Sequence, residues 1–398
     1  MGHLCHGQAM PVQTPTPFRL AGAARRIDSS AIRDLLEIVD RADVISLAGG
    51  LPAAETFPAA ALVEAITDIV TADPTALQYS ATEGFEPLRQ WLANRLSAEP
   101  GNVLITHGSQ QALDLVVRAL VEPGATVVLA DPTYVGALQV FRLAGARLAP
   151  VPSDVNGLRV DVLADRLCAG ERPALVYVVA NFDNPTGATL SLERRIVLAE
   201  LADRYGFVIV EDDPYGELRW EGDALPPIRR FTDRAVTLGT FSKIVCPGLR
   251  VGYSLAPPEV ARAMVVLKQA LDLHTSTLSQ RAIHHVVTAP GFMETQVDRL
   301  RPLYRDRCGA LVGALRAEFG NRFEFDPPSG GMFVWGRLDR FVDTHELLPR
   351  AVEHGMAFVP GQAFAVDGDY RQSMRLSFAT TPPDQLLEGV RRLARALR

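Results

Sequence analysis

A run of apolar residues long enough to cross a bilayer is missing from this 398-residue sequence. Its longest apolar runs fall far short of the roughly 20 residues a spanning helix needs, which predicts a soluble protein with no membrane partner. Basic charge is not in excess either. Forty Lys and Arg stand against 46 Asp and Glu, a net charge of −6 with an isoelectric point near 5.8. A protein whose main partner is nucleic acid favours a basic face, so that class is set aside. Cysteine is scarce, and Cys5, Cys168, Cys246 and Cys308 are too scattered for a disulfide framework. They read as reduced thiols of a cytoplasmic protein. The opening MGHLCHGQAMPVQTPTP has no charged segment leading into a long apolar run, so no secretory signal is evident. His3, Cys5 and His6 lie in this stretch without a second ligand cluster, and no metal site is expected. No internal repeat stands out.

What is present is apolar surface: 47% of the residues are hydrophobic, enough for a large core and two domains. From about Asn102 to Ala256, short runs rich in Val, Ile and Leu alternate with amphipathic segments. NVLIT precedes SQQALDLVVRAL, ATVVLA precedes YVGALQVFRLAG, and ALVYVVA precedes SLERRIVLAELADRY; FVIVEDD, AVTLGT and VGYSLA follow. Runs that do not alternate polar with apolar are strands covered on both faces. Strand–helix repetition of this kind predicts an α/β fold, a mostly parallel central sheet sandwiched by helices. After a long helix over about Phe292–Phe319, the pattern changes to a smaller α+β unit. The expected division is a flexible arm over 1–17, a segment over 18–55 joining the small domain, a large domain over 56–290, and a small domain over 291–398. The smaller unit is thus built from both chain ends.

In such sheets, ligands gather beyond the carboxyl ends of the strands. One stretch there, TLGTFSKIVCPGLRVGY, places Lys243 just past a buried strand. Taken alone, a Ser-Lys pair is a surface loop. At a strand exit, however, a lysine loses solvation, its pKa falls, and its amine becomes able to attack carbonyls. Thr240, Ser242 and Arg250 beside it are the groups that hold a phosphate. A reactive amine next to a phosphate site points to pyridoxal phosphate carried as a Schiff base. The spacing is not that of a nucleotide phosphate loop.

Other clusters sit at other strand ends. In THGSQQALDL, Ser109 either caps a helix or lies where free N–H groups and the positive helix end meet a phosphate. In VIVEDDPYGEL, the three acids either form a solvated loop or, with Asp212 and Tyr215 three apart, bring both to one site, where a carboxylate suits a protonated pyridine nitrogen and a phenol a ring oxygen. NFDNPTG is turn chemistry and by itself means only a turn; because Asn184 follows the strand ALVYVVA, its amide is also within reach of the ligand-bearing edge. Tyr134, at the start of a helix, packs in the core or stacks on a cofactor face. Arg375, inside the apolar run SMRLSFAT, needs a buried partner, for which a substrate carboxylate is suited.

With these residues in order, the chain resembles the class I/II aminotransferases of the fold-type-I pyridoxal phosphate family over nearly its whole length. The 2-aminoadipate and kynurenine aminotransferase branch is the nearest likeness, through SLAGGLPAAETFP, LQYSATEGFEPLR, GSQQALDL, NPTG, EDDPYGEL, TFSKIVCPGLR and GGMFVW. The resemblance implies that Lys243 is the Schiff-base lysine and proton shuttle, with Asp212 on the pyridine nitrogen and Asn184 and Tyr215 on the ring oxygen. It implies Ser109, Gln110, Thr240, Ser242 and Arg250 around the phosphate, Tyr134 on the ring, and Arg375 on the substrate α-carboxylate. Gly50 would line the substrate site. Tyr79 would reach the phosphate of a neighbouring subunit, which implies a homodimer with shared sites. The activity implied is transfer of an amino group between an L-amino acid and a 2-oxo acid, with 2-aminoadipate, glutamate or 2-oxoglutarate as partners.

Two departures bear on this. Thr240 stands where serine is common, which keeps the hydroxyl. Asp183 stands where the branch often has glutamine, and its charge would disfavour acidic side chains. Arg33, in SSAIRDLLEIV, is either a helix-face residue paired with Glu37 or, by the resemblance, a contact for the substrate side chain. Specialised biosynthesis of an unusual amino acid would use the same motifs. So would lyase, decarboxylase or oxidase chemistry on the same fold. A ligand-sensing regulator is the non-enzymatic alternative. The stretch of about 30 residues before the first shared motif is short for a DNA-binding module.

Overall fold

The computed structural model describes residues 21–26, 43–339 and 342–398. Arg33, the helix expected around it and the N-terminal arm lie outside the described residues. After β1 (Ile45–Ser46) come the strands of the main sheet: β2 (Val103–His107), β3 (Thr126–Asp131), β4 (Arg147–Asp154), β5 (Gly157–Leu158), β6 (Leu175–Val179), β7 (Val208–Asp212), β8 (Ala235–Thr240) and β9 (Val251–Leu255). These eight pair in the order β2-β9-β8-β7-β6-β3-β4-β5. The run from β8 to β4 is parallel throughout, whereas β9 is antiparallel to both its neighbours and β5 is antiparallel to β4.

The period of two along these strands divides their side chains between two cores. Val127, Leu129, Leu175, Tyr177, Val210, Val236 and Leu238 face one side, packed with Leu113 and Val116 of the helix Gly108–Leu120 and Phe141 of the helix Val135–Ala144. Val128, Val176, Val178 and Ile209 face the other, with Leu163, Leu167, Leu198 and Ala202 from the helices Val160–Cys168 and Leu192–Tyr205. Each such side chain taken from water stabilises the fold by roughly 1.5–3 kcal/mol. The same alternation sends Asp212 and Thr240 to the side of Tyr177 and leaves Glu211 on the other, beside Arg195.

The parallel strand β4 departs from the expected pattern because it contains Pro150 and Pro152. A proline removes a ladder donor, which a central strand does not accommodate. Here the outer side of β4 is paired only through the two-residue β5, so little is lost.

The long helix Phe292–Phe319 leads to β10 (Phe323–Phe325), β11 (Phe333–Leu338), β12 (Met356–Ala357), β13 (Val359–Pro360) and β14 (Ser373–Ser377). Four of these form an antiparallel sheet in the order β10-β11-β14-β13. β12 instead pairs in parallel with β1, tying the chain near Ile45 to the C-terminal part. Among the described residues, no helix is long and apolar enough to cross a membrane.

Candidate active site

The groups that follow the carboxyl ends of β6, β7 and β8 lie close together, and the small sheet brings Arg375 to Asn184 and near Lys243 and Tyr134. Lys243 lies three residues past the end of β8, and its Nζ donates to the carbonyl of Gly50 at 2.8 Å. Burial, reinforced by the nearby charges of Arg375 and Arg250, pushes its pKa down from 10.5 to about 8. At neutral pH a useful fraction is therefore the free, nucleophilic amine.

Asp212 ends β7. The Tyr177 phenol, two residues before the end of β6, donates to Asp212 Oδ2 at 3.0 Å. Asp212 Oδ1 is buried and has no hydrogen-bond partner. Burial raises this carboxyl to about 7, and the charges of Asp213 and Asp183 add to the rise against the opposing Tyr177 bond. A sealed, unpartnered carboxylate oxygen is a costly thing to leave in a fold. A protonated ring nitrogen is the donor that fits it, so the residues present suit pyridoxal phosphate. Tyr215 is buried nearby, with its ring edge-on to Phe333 at 5.8 Å.

The expected phosphate residues converge on the start of the helix Gly108–Leu120. His107 is the N-cap and no side chain caps the helix, so Ser109 lies inside the first turn instead of serving as the cap. Thr240 Oγ1 donates to Ser242 Oγ at 2.9 Å and accepts from the Ser242 N–H at 3.1 Å, which holds both hydroxyls together. Arg250, at φ 54°, extends its guanidinium over Gly108. A Cβ on Gly108 would stand 2.6 Å from Arg250 Nη2, and a Cβ on Gly252 would stand 2.5 Å from the Gly108 carbonyl carbon. Both glycines are needed for strand, helix and guanidinium to meet this closely. Gln110 Nε2 donates to the Gly136 carbonyl at 2.9 Å, and Tyr134 Oη donates to Gln110 Oε1 at 3.3 Å. Tyr134 is therefore fixed at the helix start.

Arg375 is buried in β14. Its Nη1 donates to Asn184 Oδ1 at 2.7 Å and its Nη2 to the Ala48 carbonyl at 2.5 Å, while its Nε has no partner. The guanidinium lies 4.3 Å from the Phe333 ring centre and 5.0 Å from that of Phe364. These contacts tie Asn184 and Ala48 to Arg375, and Gly50, two residues after Ala48, is held by Lys243. Asp183 is turned into its own loop, where its Oδ2 accepts from Thr186 at 2.8 Å, and burial raises it to about 7. Tyr79 is the outlier among the expected residues. It is 78% exposed and packs edge-on against His274 at 5.7 Å. Tyr177, Ala48, Phe333 and Phe364 were not expected from the sequence. Each sits in an apolar or small-residue stretch that reads as core, and a Tyr within ALVYVVA is the one signal that was available.

The sequence profile of class I and II aminotransferases matches residues 42–393. The chain belongs to that family. This aminotransferase is 42% identical over 381 residues to a 2-aminoadipate transaminase of Thermus thermophilus, a match covering 94% of the chain and 95% of the relative. It is 39% identical over 383 residues to aromatic-amino-acid aminotransferase 1 of Thermococcus litoralis, covering 93% and 92%. Its fold matches the α-aminoadipate aminotransferase of Thermus thermophilus solved with N-(5'-phosphopyridoxyl)-L-leucine, with a TM-score of 0.90 and 40% identity over 95% of this chain and 97% of the other. The aminotransferase is an enzyme with pyridoxal 5'-phosphate as its cofactor, and it moves an amino group between an amino acid and a 2-oxo acid.

Proposed function

We propose that this aminotransferase exchanges amino groups between 2-aminoadipate- or glutamate-type L-amino acids and 2-oxoglutarate-type acids, in a ping-pong cycle. The observation that carries the reading is one crevice holding three groups. These are the Lys243 amine with its pKa near 8, the unpartnered Asp212 oxygen, and the buried Arg375 guanidinium. The cofactor, when bound, contributes a carbonyl that condenses with amines and a ring that stores an electron pair. In this reading Ser109, Gln110, Thr240, Ser242 and Arg250 hold the phosphate, and Tyr134 covers the ring. Asp212 keeps a proton on the pyridine nitrogen, and Asn184 and Tyr215 hydrogen-bond the ring oxygen. Arg375 binds the substrate α-carboxylate beside Gly50. Lys243 takes the proton from the substrate Cα and returns it on the product side.

The relatives named for 2-aminoadipate support the acidic partner. A second reading, aromatic donors, is favoured by the rings around Arg375: Phe333, Phe364, and Trp335 packed edge-on against Phe364 at 5.7 Å. Two-fold assembly with shared sites is part of the proposal. It is supported by the exposed Tyr79 and by Leu77, Leu271 and Leu273, exposed apolar residues of the same two segments. Residues 18–55 together with 291–398 are taken as the smaller domain and 56–290 as the larger.

A panel of amino donors, each scored in a single turnover for conversion of the cofactor to pyridoxamine phosphate, tests the substrate claim. Acidic donors are expected to be fastest, and Arg33→Ala is expected to slow them about tenfold or more, the scale of one charged hydrogen bond. Fastest turnover of aromatic donors, with acidic ones inert, would replace the first reading by the second. Lys243→Ala is expected to abolish turnover with every donor.

A further inference from the structure

Three polar groups of His107 are committed at the start of the helix Gly108–Leu120. Its N–H donates to Gln111 Oε1 at 2.9 Å, and its carbonyl accepts from Arg250 Nη2 at 3.4 Å. Its ring Nδ1 lies 2.8 Å from Asp272 Oδ2. Asp272 closes the helix Pro258–Asp272 and also accepts from Gln111 Nε2 at 2.6 Å. The fully buried Lys268 reaches both Asp272 oxygens at 2.9 Å and Gln111 Oε1 at 3.0 Å.

Each partner's needs are met in this arrangement. Asp272 only accepts, so the His107 Nδ1 carries the hydrogen between them. The buried Lys268 and the partly exposed Asp272 form an ion pair that orients Gln111, and Gln111 in turn holds the His107 backbone. His107 does not cap its helix. Its ring turns back to Asp272 while its main chain meets Arg250. The residue therefore joins the two sides of the phosphate cradle: the helix turn carrying Ser109 and Gln110, and the Arg250 guanidinium. A bonded support of this kind is what keeps first-contact groups within a fraction of an ångström of their working geometry.

We propose that His107 is a positioning residue for the cofactor phosphate, held by Asp272 and acting through Arg250 and the first turn of the helix. The proposal rests on the reading that Ser109, Gln110, Thr240, Ser242 and Arg250 hold that phosphate. It places the effect of His107 on the phosphate and not on the ring.

The test measures dissociation constants of the apoenzyme for pyridoxal phosphate and for pyridoxal, which lacks the phosphate. His107→Leu is expected to weaken pyridoxal phosphate about tenfold while leaving pyridoxal within about twofold, the loss of one oriented hydrogen bond at a charged site. It should also shift the phosphorus resonance of the bound cofactor. His107→Asn, whose amide nitrogen takes the place of Nδ1, should restore most of the affinity. Should the leucine variant fail to fold, His107→Phe carries the same comparison with an aromatic ring kept and its nitrogens removed. Equal losses for both ligands, or none for either, would overturn the proposal. Arg250→Leu separates its failure from that of the underlying reading. If Arg250→Leu loses pyridoxal phosphate selectively and His107→Leu does not, only the role of His107 falls. If neither does, the phosphate assignment falls.

Discussion

Tyr177 gives its phenolic hydrogen to one oxygen of Asp212 and leaves the other oxygen buried without a protein donor. Strand pairing makes this possible. β6 and β7 run in register with Val179 opposite Asp212, so Tyr177 sits two residues back on the same face. The arrangement orients the carboxylate and keeps one oxygen for the cofactor ring. Asp212→Asn keeps the shape and removes the charge that holds a proton on the ring nitrogen. Turnover is expected to fall at least about a hundredfold, the scale of removing one electrostatic contact to the reacting system.

The same substitution should stabilise the apoenzyme at pH 8. Ionised Asp212 has its carboxyl raised from 3.8 to about 7 by burial. At about 1.36 kcal/mol per pH unit, the cost relieved is at most about 4 kcal/mol. Thermal unfolding of the apo forms measures it. An unchanged or lower melting temperature at pH 8 would mean that Asp212 is not strained without its cofactor.

Three buried acids give the apoenzyme a defined pH dependence. Burial raises Asp183, Glu211 and Asp212 each to about 7, so the folded protein binds their protons more tightly than the unfolded chain. Their contribution to stability is full below about pH 4 and is lost as pH rises through about 7. Lys243, lowered to about 8, carries a cost that is present below that pH and relieved above it. The melting temperature is expected to decline between pH 5 and 8, and Asp183→Asn should flatten that decline. A decline of the same slope in the variant would show that Asp183 does not contribute to it.

Much of this site was legible in the sequence because chemistry was placed where a pattern ends. Lys243, Asp212 and Asn184 each follow a continuous apolar run, and such runs terminate at the ligand-bearing edge of a parallel sheet. What the sequence did not disclose depends on pairing between distant segments. Tyr177 reads as core until β6 and β7 are aligned, and the carbonyl of Ala48 has no side chain to signal its contact with Arg375. β4 was hidden by its prolines, which are admissible only because so little pairs with its outer side. Asp183 looked like a charge facing the substrate, but its hydrogen bond to Thr186 turns it into its own loop.

Arg375 is expected to read the α-carboxylate common to both substrates. Its guanidinium is already oriented by Asn184 and Ala48 and flanked by Phe333. Arg375→Leu should raise KM for the amino acid and the 2-oxo acid alike, lowering kcat/KM by about 2–4 kcal/mol, or roughly 30- to 1,000-fold. Arg375→Lys should recover little, since a point charge cannot reproduce the planar fork. Amines without a carboxylate should react at the same low rate in both proteins. A loss confined to one substrate class would move the role elsewhere.

Gly252 provides the sharpest steric test of the phosphate cradle. It lies in β9 between Thr106 of β2 and Thr240 of β8, the strands that lead to the helix start and to the two hydroxyls. A Cβ at this position would stand 2.5 Å from the Gly108 carbonyl carbon, 2.6 Å from the Ser109 nitrogen and 2.7 Å from the Gly108 Cα. All three are backbone atoms, so no side chain can swing aside, and the helix start or the strand must move. Gly252→Ala is therefore expected to destabilise the protein by about 1–3 kcal/mol, the usual cost of overpacking. It should also weaken pyridoxal phosphate by about tenfold, because a shift of a few tenths of an ångström in the Ser109 turn misaligns several donors at once. Gly248→Ala, in the segment that leads into β9, is the matched control, since a Cβ there meets nothing within 4 Å. It should leave affinity and melting temperature unchanged. If Gly252→Ala binds the cofactor as tightly as the parent while Gly248→Ala does not, the cradle is held from the Arg250 loop and not from the contact between β9 and the helix.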